Sequence, residues 1–166
     1  GDGLGSAFVR YGEVFQGDAY AAGEIGQCLI EFDGIEQCYE SILSSSGICK
    51  QLGVCNRGDL EELLNNYPNL PEEQTKILEK VTNFAANILY NICWLLNPGT
   101  IVVDSSISIL AELIYKAALK KCERLSESPI SNYVEITLPR EQNHYAMSGC
   151  VIQLVNNWIE EVLGDK

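Results

Sequence analysis

One long amphipathic helix is the feature that most constrains the fold of this chain. Pro71 stands at a first helical position with two glutamates behind it, and the turn Asn97-Pro98-Gly99 ends the segment. Apolar residues recur along the segment at spacings of three and four, so one helical face must be buried. They are Ile77, Leu78, Val81, Phe84, Ala85, Ile88, Leu89, Ile92 and Leu96.

The remainder of the chain alternates strand and helix patterns. The predicted elements are strands at 7–10, 13–16 and 26–32, helices at 38–52 and 59–66, the long helix at 71–97, a strand at 100–103, a helix at 107–124, a strand at 133–138 and a helix at 146–163. Hairpin strands followed by alternating helices and strands predict an α/β lobe with a mixed sheet and packed helices.

Length and charge narrow the range of functions. With 166 residues and 46% hydrophobic content, the chain can bury a core and is interpreted as one domain or one lobe. Its 23 acidic and 11 basic residues give a net charge of −12, which repels nucleic acid and anionic membranes. No apolar run approaches the roughly 20 residues that span a bilayer, and the opening has no signal-peptide pattern. We therefore expect a cytoplasmic protein with no membrane partner and no direct contact with DNA.

The seven cysteines form no recognisable framework. They are scattered without close pairs, and several lie inside apolar helical patterns. An odd, unpatterned set in an acidic chain indicates reduced thiols, most of them buried as small hydrophobic side chains. The positions are Cys28, Cys38, Cys49, Cys55, Cys93, Cys122 and Cys150.

Several motifs in a fixed order carry a family resemblance. They are GDGLG at 1–5, GEVFQG at 12–17, AGEIG at 22–26, DLEELL at 59–64 and LLNPGTIVV at 95–103. Together they resemble the ROK family of sugar kinases and sugar-responsive repressors over nearly the whole chain. The resemblance implies an actin-like ATPase fold of the ribonuclease H-like type, in which two lobes close on a cleft for sugar and nucleotide.

Under this resemblance, residues 1–166 correspond to a single C-terminal lobe. The catalytic aspartate of the family lies upstream of the glycine loop, as does the winged-helix DNA-binding segment of its repressors. The upstream lobe and any DNA-binding domain are therefore interpreted as absent from this sequence. Members of the family commonly dimerise, so the resemblance also implies a homodimer that contacts DNA only through an upstream domain.

Both turns that meet the nucleotide in the family carry an aspartate here. Asp2 replaces a threonine of the glycine loop, and Asp104 opens a second turn where the family has glycines. A carboxylate beside a triphosphate costs about 1 kcal/mol per charge pair in water and several times more in a dry cleft. We expect neither ATP binding nor a catalytic residue in this chain. The degenerate nucleotide-binding turns comprise Gly1, Asp2, Gly3, Gly5, Asp104, Ser105 and Ser106.

The zinc signature of the family is also eroded. Gln27 stands where the family has a histidine ligand, and of the three cysteine ligands only the last is matched, by Cys38. A single soft ligand does not hold zinc, so no metal and no other cofactor is expected. A compensating set drawn from Cys28, Cys38, Cys49 and Cys55 has spacings that fit no zinc template.

The sugar-binding end of the motif set is retained. Glu24 matches the glutamate of the family's Glu-x-Gly-His motif, and Glu40 matches the glutamate that follows the last zinc ligand. A carboxylate suits this role because it accepts hydrogen bonds from two neighbouring hydroxyl groups. Gln27 can donate one hydrogen bond to a hydroxyl. We therefore predict a substrate- or effector-binding group of Glu24, Gln27 and Glu40, although an exposed glutamate in so acidic a chain is ordinarily just a solvated surface group.

Two functional hypotheses follow, with a third held open. The preferred one is the sugar-effector-binding and dimerisation region of a ROK-type transcriptional regulator without kinase activity. The alternative is the C-terminal lobe of a divergent ATP-dependent hexose kinase. The third is a lobe that binds no ligand and serves only in assembly.

Overall fold

The structure, a computed structural model, describes residues 3–125 and 134–139, and in the last segment only residues 149, 151, 152, 155 and 158. The elements of the described part are β1 (Phe8–Arg10), β2 (Glu13–Phe15), β3 (Leu29–Phe32), β4 (Ile35–Cys38), α1 (Tyr39–Leu43), α2 (Ser45–Leu52), α3 (Arg57–Asn65), α4 (Glu72–Leu96), β5 (Thr100–Val102), α5 (Ser108–Cys122) and β6 (Glu135–Thr137). The predicted helix at 146–163 lies outside the described residues, apart from those five single positions.

The described strands pair as three separate two-stranded ladders. β1 and β2 form an antiparallel hairpin with Phe8 opposite Phe15, which confirms the predicted hairpin. β5 and β6 are parallel, with Ile101 opposite Ile136. Parallel and antiparallel pairs therefore both occur in an α/β arrangement, and in the described ranges they form three small sheets.

The third predicted strand, at 26–32, is shorter than expected and belongs to a second hairpin. A 3₁₀ turn occupies Ile25–Gln27, so β3 begins only at Leu29. β3 pairs antiparallel with β4, a strand that the sequence analysis did not predict. Asp33 and Gly34 join the two strands with φ angles of 57° and 75°. Positive φ at both positions is typical of the tight turns that connect hairpin strands, and Asp-Gly is a preferred sequence for them.

The single helix predicted at 38–52 is wrong, because the chain breaks at Ser44. This residue has an extended backbone, and its hydroxyl accepts a hydrogen bond from Gly47 N at 3.1 Å, which caps α2. A Cβ on Gly47 would lie 2.4 Å from the carbonyl oxygen of Ser41, so only glycine lets α1 approach α2 this closely. The predicted end of the segment at Gly53 is confirmed, since Gly53 caps α2 in the left-handed conformation with φ of 70°.

The remaining helices lie close to their predicted positions. Asn56 accepts a hydrogen bond from Asp59 N and caps α3, so this helix begins two residues earlier than expected. α4 begins at Glu72, so Pro71 is its N-cap and not its first helical residue, and Asn97 caps the end of the helix as predicted. α5 begins and ends within two residues of its predicted bounds. None of the helices in the described part of the chain combines the length and the apolarity needed to cross a membrane.

α4 organises the core because its buried face contributes to three apolar clusters. Its first half packs with α2, α3 and the start of α5 around Ile48, Leu60, Leu64, Leu78, Val81 and Leu110. A second cluster joins α4 and α5 to the parallel strands through Ala86, Val103, Ala118 and Ile136. In the third, Phe84 makes edge contacts with the rings of Phe32 and Tyr39. The predicted buried face is confirmed over most of its length, but Leu96 at its end is 49% exposed.

Candidate functional site

The glycine loop lies directly on the turn that contains Glu24. The backbone N–H and the hydroxyl of Ser6 both donate hydrogen bonds to the carbonyl oxygen of Gly23, at 3.1 Å and 2.7 Å. Gly23 has a φ of +94°, and a Cβ there would lie 2.3 Å from the carbonyl oxygen of Ser6. A side chain at position 23 would therefore be strained and would collide with the backbone of the loop. This contact fixes the glycine loop against the segment that follows the first hairpin.

Two further glycines bring the loop onto Glu40. A Cβ on the buried Gly26 would lie 2.6 Å from the carbonyl oxygen of Leu4 and 3.3 Å from Cβ of Glu40. A Cβ on Gly3 would lie 2.5 Å from Oε1 of Glu40. The glycine loop, the 3₁₀ turn and the start of α1 therefore meet at Glu40. They approach closely because the loop and the 3₁₀ turn each place a glycine next to the Glu40 side chain.

Of the three predicted sugar-binding residues, Gln27 and Glu40 are joined through their side chains, and Glu24 is joined to Gln27 through the backbone of the 3₁₀ turn. Gln27 donates a hydrogen bond from Nε2 to Oε2 of Glu40 at 3.2 Å. Glu24 immediately precedes the 3₁₀ turn, and its carbonyl oxygen accepts a hydrogen bond from Gln27 N at 3.1 Å. Glu24 and Gln27 are exposed, whereas Glu40 is half-buried. The group offers carboxylate oxygens beside an amide, which suits the binding of vicinal hydroxyl groups.

Glu40 is held in place by the hairpin that precedes it. Cys38 ends β4 and precedes the first residue of α1, so the strand delivers Glu40 into the first helical turn. Tyr39 N donates a hydrogen bond to the carbonyl oxygen of Cys28 at 2.9 Å. This bond joins the residue after Gln27 to the residue before Glu40, so the backbone spacing of the pair is fixed. The predicted residues Gly1 and Asp2 lie outside the described part of the chain.

Asp104, Ser105 and Ser106 belong to a second group, after the end of β5. Asp104 and Ser105, but not Ser106, line a cleft of about 80 Å³. Its other lining residues are Ser108, Ala111, Glu112, Leu138 and Pro139. Leu138 and Pro139 follow β6, so the cleft opens at the carboxyl ends of both parallel strands. In open α/β folds, ligands bind at this edge. Among the residues that the structure describes, the lining carries two carboxylates, from Asp104 and Glu112, and no lysine or arginine.

Side-chain contacts fix the conformation of this second turn. The hydroxyl of Ser105 accepts a hydrogen bond from Ile107 N at 3.1 Å, next to the start of α5. Arg57, which pairs with Glu61 at 2.8 Å, donates a longer hydrogen bond of 3.4 Å to the carbonyl oxygen of Ser106. The turn is therefore tied both to the helix that follows it and to α3.

In the first glycine loop, Gly5 differs from Gly3, because a Cβ on the exposed Gly5 would meet no atom within 4 Å.

Sequence reasoning missed Glu112 and Gly26. Glu112 lies one helical turn after Ser108, so its spacing from the strand end was a usable signal for a lining residue. Gly26 was taken as the start of a strand, and only the fold reveals that Leu4 and Glu40 press against it.

A larger cleft of about 310 Å³ between α2 and α3 was also not predicted. It is lined by Ser45, Ser46, Cys49, Lys50, Val54, Cys55, Asn56 and Arg57.

The residues at the family's zinc position do not fit that metal. Gln27 uses its amide to bind Glu40, and Cys38 is the one thiol that the motif supplies. Of the other cysteines nearby, Cys28 and Cys55 are exposed and Cys49 is buried, and burial raises the pKa of the Cys49 thiol. A raised pKa disfavours the thiolate that a metal requires. Across the residues that the structure describes, no three histidine, cysteine, aspartate or glutamate side chains are grouped to hold a metal ion.

Known proteins share this architecture. The crystal structure of ROK hexokinase from Thermus thermophilus has a TM-score of 0.71 and 16% identity, covering 93% of this chain and 56% of that chain. A crystal structure of a ROK family transcriptional regulator, a homologue of the E. coli MLC protein, has a TM-score of 0.69 and 20% identity, covering 89% and 42%. An uncharacterised protein of Clostridium perfringens is 24% identical over 164 residues, which are 95% of this chain and 54% of that protein.

The chain thus spans about half the length of the relatives that it matches. The family model described as ROK family matches residues 1–157, which is nearly the whole sequence. The solved relatives have the actin-like ATPase fold, and the α/β arrangement of this chain superimposes on theirs. The chain belongs to the ROK family.

Proposed function

We propose that this chain is the sugar-effector-binding and dimerisation region of a ROK-family transcriptional regulator without kinase activity. The two solved relatives are named as a hexokinase and as a transcriptional regulator, and their similar TM-scores do not separate these roles. The choice therefore depends on the residues at the two candidate groups. Both glutamates of the predicted sugar-binding group, Glu24 and Glu40, are present, whereas the second turn is acidic.

The observation that carries the proposal is the lining of the cleft at the carboxyl ends of β5 and β6. Asp104 and Glu112 contribute two carboxylates, and none of the described residues of this lining is a lysine or an arginine. Kinases and ATPases stabilise a triphosphate with cationic groups, backbone N–H groups and a metal. Two carboxylates at about 4 Å from a phosphate each cost about 1 kcal/mol in water, and more as water is excluded. This cleft is therefore poorly suited to ATP.

The group of Glu24, Gln27 and Glu40 supports the proposed binding of a sugar effector. Glu40 contacts the glycine loop through Gly3 and accepts a hydrogen bond from Gln27, so a hydroxyl ligand bound there would act on three segments at once. In a regulator, a ligand that favours one arrangement of these segments shifts the affinity of a distant DNA-binding domain by the same coupling free energy. The proposed complex is a cytoplasmic homodimer that contacts DNA only through a domain upstream of this chain.

The test uses the full-length protein. Binding of D-glucose, D-mannose and D-fructose is measured by calorimetry, for the wild type and for Glu24→Ala and Glu40→Ala, with Glu62→Ala on the exposed face of α3 as the matched control. We expect at least one hexose to bind, and both site variants to weaken it by about tenfold or more. If both site variants bind the hexose with wild-type affinity, Glu24 and Glu40 do not contact the sugar. The lobe would then have a role in assembly alone.

The kinase alternative follows from membership of the same family, since one of the two solved relatives is named as a hexokinase. It requires an upstream catalytic aspartate and a usable nucleotide site. The full-length protein is therefore incubated with Mg-ATP at millimolar concentration and each hexose, and hexose phosphate is measured. We expect neither ATP binding nor product. ATP-dependent formation of a hexose phosphate would replace the regulator proposal with the kinase.

A further inference from the structure

We infer that Gln27 is a positioning residue that holds the carboxylate of Glu40 against the glycine loop, and that it acts on the sugar through Glu40 and not as a direct ligand. The inference rests on the proposed sugar-binding function, because it assigns a role within that site. It differs from the sequence-based expectation, in which the Gln27 amide donates its hydrogen bond to a sugar hydroxyl.

The first support is the use of the two oxygens of Glu40. Oε2 accepts the hydrogen bond from Gln27 Nε2 at 3.2 Å, while Oε1 faces the backbone of Gly3. A carboxylate offers about four acceptor positions, so one bond from Gln27 leaves positions for hydroxyl groups. A glutamate side chain without such contacts is free to adopt several rotamers. The contacts with Gln27 and Gly3 reduce this freedom and direct the open acceptor positions.

The second support is that the backbones of the two residues are fixed relative to each other. Gln27 lies in a 3₁₀ turn whose N–H bonds to the carbonyl of Glu24 at 3.1 Å. The hydrogen bond from Tyr39 N to the carbonyl oxygen of Cys28, at 2.9 Å, then joins the neighbours of Gln27 and Glu40. The backbone positions of Gln27 and Glu40 are therefore fixed. Whether the Gln27 amide contacts the Glu40 carboxylate then depends on the length of the side chain at position 27.

Side-chain length provides a graded set of variants. Gln27→Asn keeps the amide but shortens the side chain by one carbon–carbon bond, about 1.5 Å, so it does not span the distance. Gln27→Glu keeps the length but places two carboxylates together, which repels Glu40. Both variants are therefore expected to lose affinity under the positioning role.

The first measurement needs no ligand. The side-chain amide resonances of Gln27 are recorded by ¹⁵N NMR in the full-length protein and in its Glu40→Ala and Glu62→Ala variants, and are assigned with Gln27→Ala. We expect Glu40→Ala to shift the Gln27 amide resonances, because their acceptor is lost, and Glu62→Ala to leave them unchanged. Identical resonances in the wild type and in Glu40→Ala would overturn the inference.

The second measurement is a double-mutant cycle on hexose affinity, with whichever of D-glucose, D-mannose and D-fructose binds most tightly. Gln27→Ala is expected to weaken binding by about tenfold in the wild-type background and by less than about twofold in the Glu40→Ala background. Equal losses in both backgrounds would show an independent contact and overturn the inference. If none of the hexoses binds the wild type, the proposed function fails, and the amide resonances decide the contact between Gln27 and Glu40 by themselves.

Discussion

The ammonium group of Lys80 lies 4.5 Å from the centroid of the Phe32 ring. The same ammonium pairs with the carboxylate of Asp33, the first residue of the β3–β4 turn. One side chain of α4 therefore holds both the last residue of β3 and the turn that follows it. Because β4 leads directly into α1, this attachment also supports the segment that carries Glu40.

Replacing Lys80 tests that attachment. Lys80→Met is expected to lower the free energy of unfolding by about 1 kcal/mol, since a cation–π contact and an ion pair are lost together at a half-exposed site. Lys76→Met is the matched control on the same helix, where the lost pair with Glu72 is solvent-exposed and is worth about 0.3 kcal/mol. Urea unfolding of the full-length variants gives both values. Equal losses would mean that the ring and turn contacts contribute nothing beyond a surface pair.

The contact between Gly23 and Ser6 predicts a large effect on stability. Gly23→Ala combines a strained positive φ with a Cβ that would lie 2.3 Å from a backbone oxygen, so we expect a loss of about 2 kcal/mol or more. Gly12→Ala is the control, because Gly12 has a similar φ of +85° but open space around a Cβ. It should cost about 1 kcal/mol from strain alone. Thermal or urea unfolding measures the difference, and similar losses would argue against close contact of the loop.

Gly3→Ala separates function from stability. The added Cβ would meet only Oε1 of Glu40, the end of a flexible side chain, so the carboxylate moves aside at little energetic cost. We expect the free energy of unfolding to change by less than about 0.5 kcal/mol. Hexose affinity should nevertheless fall by about threefold or more, because the carboxylate leaves its position. Calorimetry and urea unfolding of the same preparation check both statements, and Gly5→Ala, with open space around its Cβ, should alter neither.

The sequence predicted the elements well where the apolar pattern was long or where a residue typical of helix ends marked the boundary. α4 was located by its repeated apolar spacing, and Gly53 and Asn97 ended helices as expected. The break at Ser44 was missed although the sequence signals it, because Ser44-Ser45-Ser46-Gly47 is a poor helix-forming run and serine is a preferred N-cap residue. β4 was missed although Asp33-Gly34 is a strong hairpin signal, since the turn was read only as a strand end.

For the candidate site, the sequence identified residues but not their partners. Glu24, Gln27 and Glu40 were singled out through the family resemblance, and the fold brings the side chains of Gln27 and Glu40 together. Spacing alone does not predict that Gln27 turns to Glu40, because residues 27 and 40 come together only through the hairpin between them. Glu112 was missed for the same reason, since the cleft that it lines forms between α5 and the segment after β6.

The last relationship concerns two thiols between the packed helices α4 and α5. Cys93 is fully buried, and its thiol lies beside that of Cys122. Burial raises the pKa of Cys122 from 9.0 to about 11, with the neighbouring Cys93 adding to the effect. Burial likewise raises the pKa of Cys93. Both groups are therefore neutral thiols at physiological pH and resist ionisation in the folded state.

This pair predicts a loss of stability in alkaline solution. The unfolded chain ionises Cys122 near its ordinary pKa of 9.0, whereas the folded chain keeps it protonated until about 11. The neutral form thus favours folding fully below about pH 9, and this contribution is lost as the pH rises toward about 11. Cys122→Ala removes the ionisable group, so the difference in unfolding free energy between wild type and variant should shift in favour of the variant across that range. Leu119→Ala, a non-titrating change on the same helix, should give a constant difference, and urea unfolding at several pH values measures both. A constant difference for Cys122→Ala as well would mean that the thiol ionises equally easily in the folded and unfolded chains.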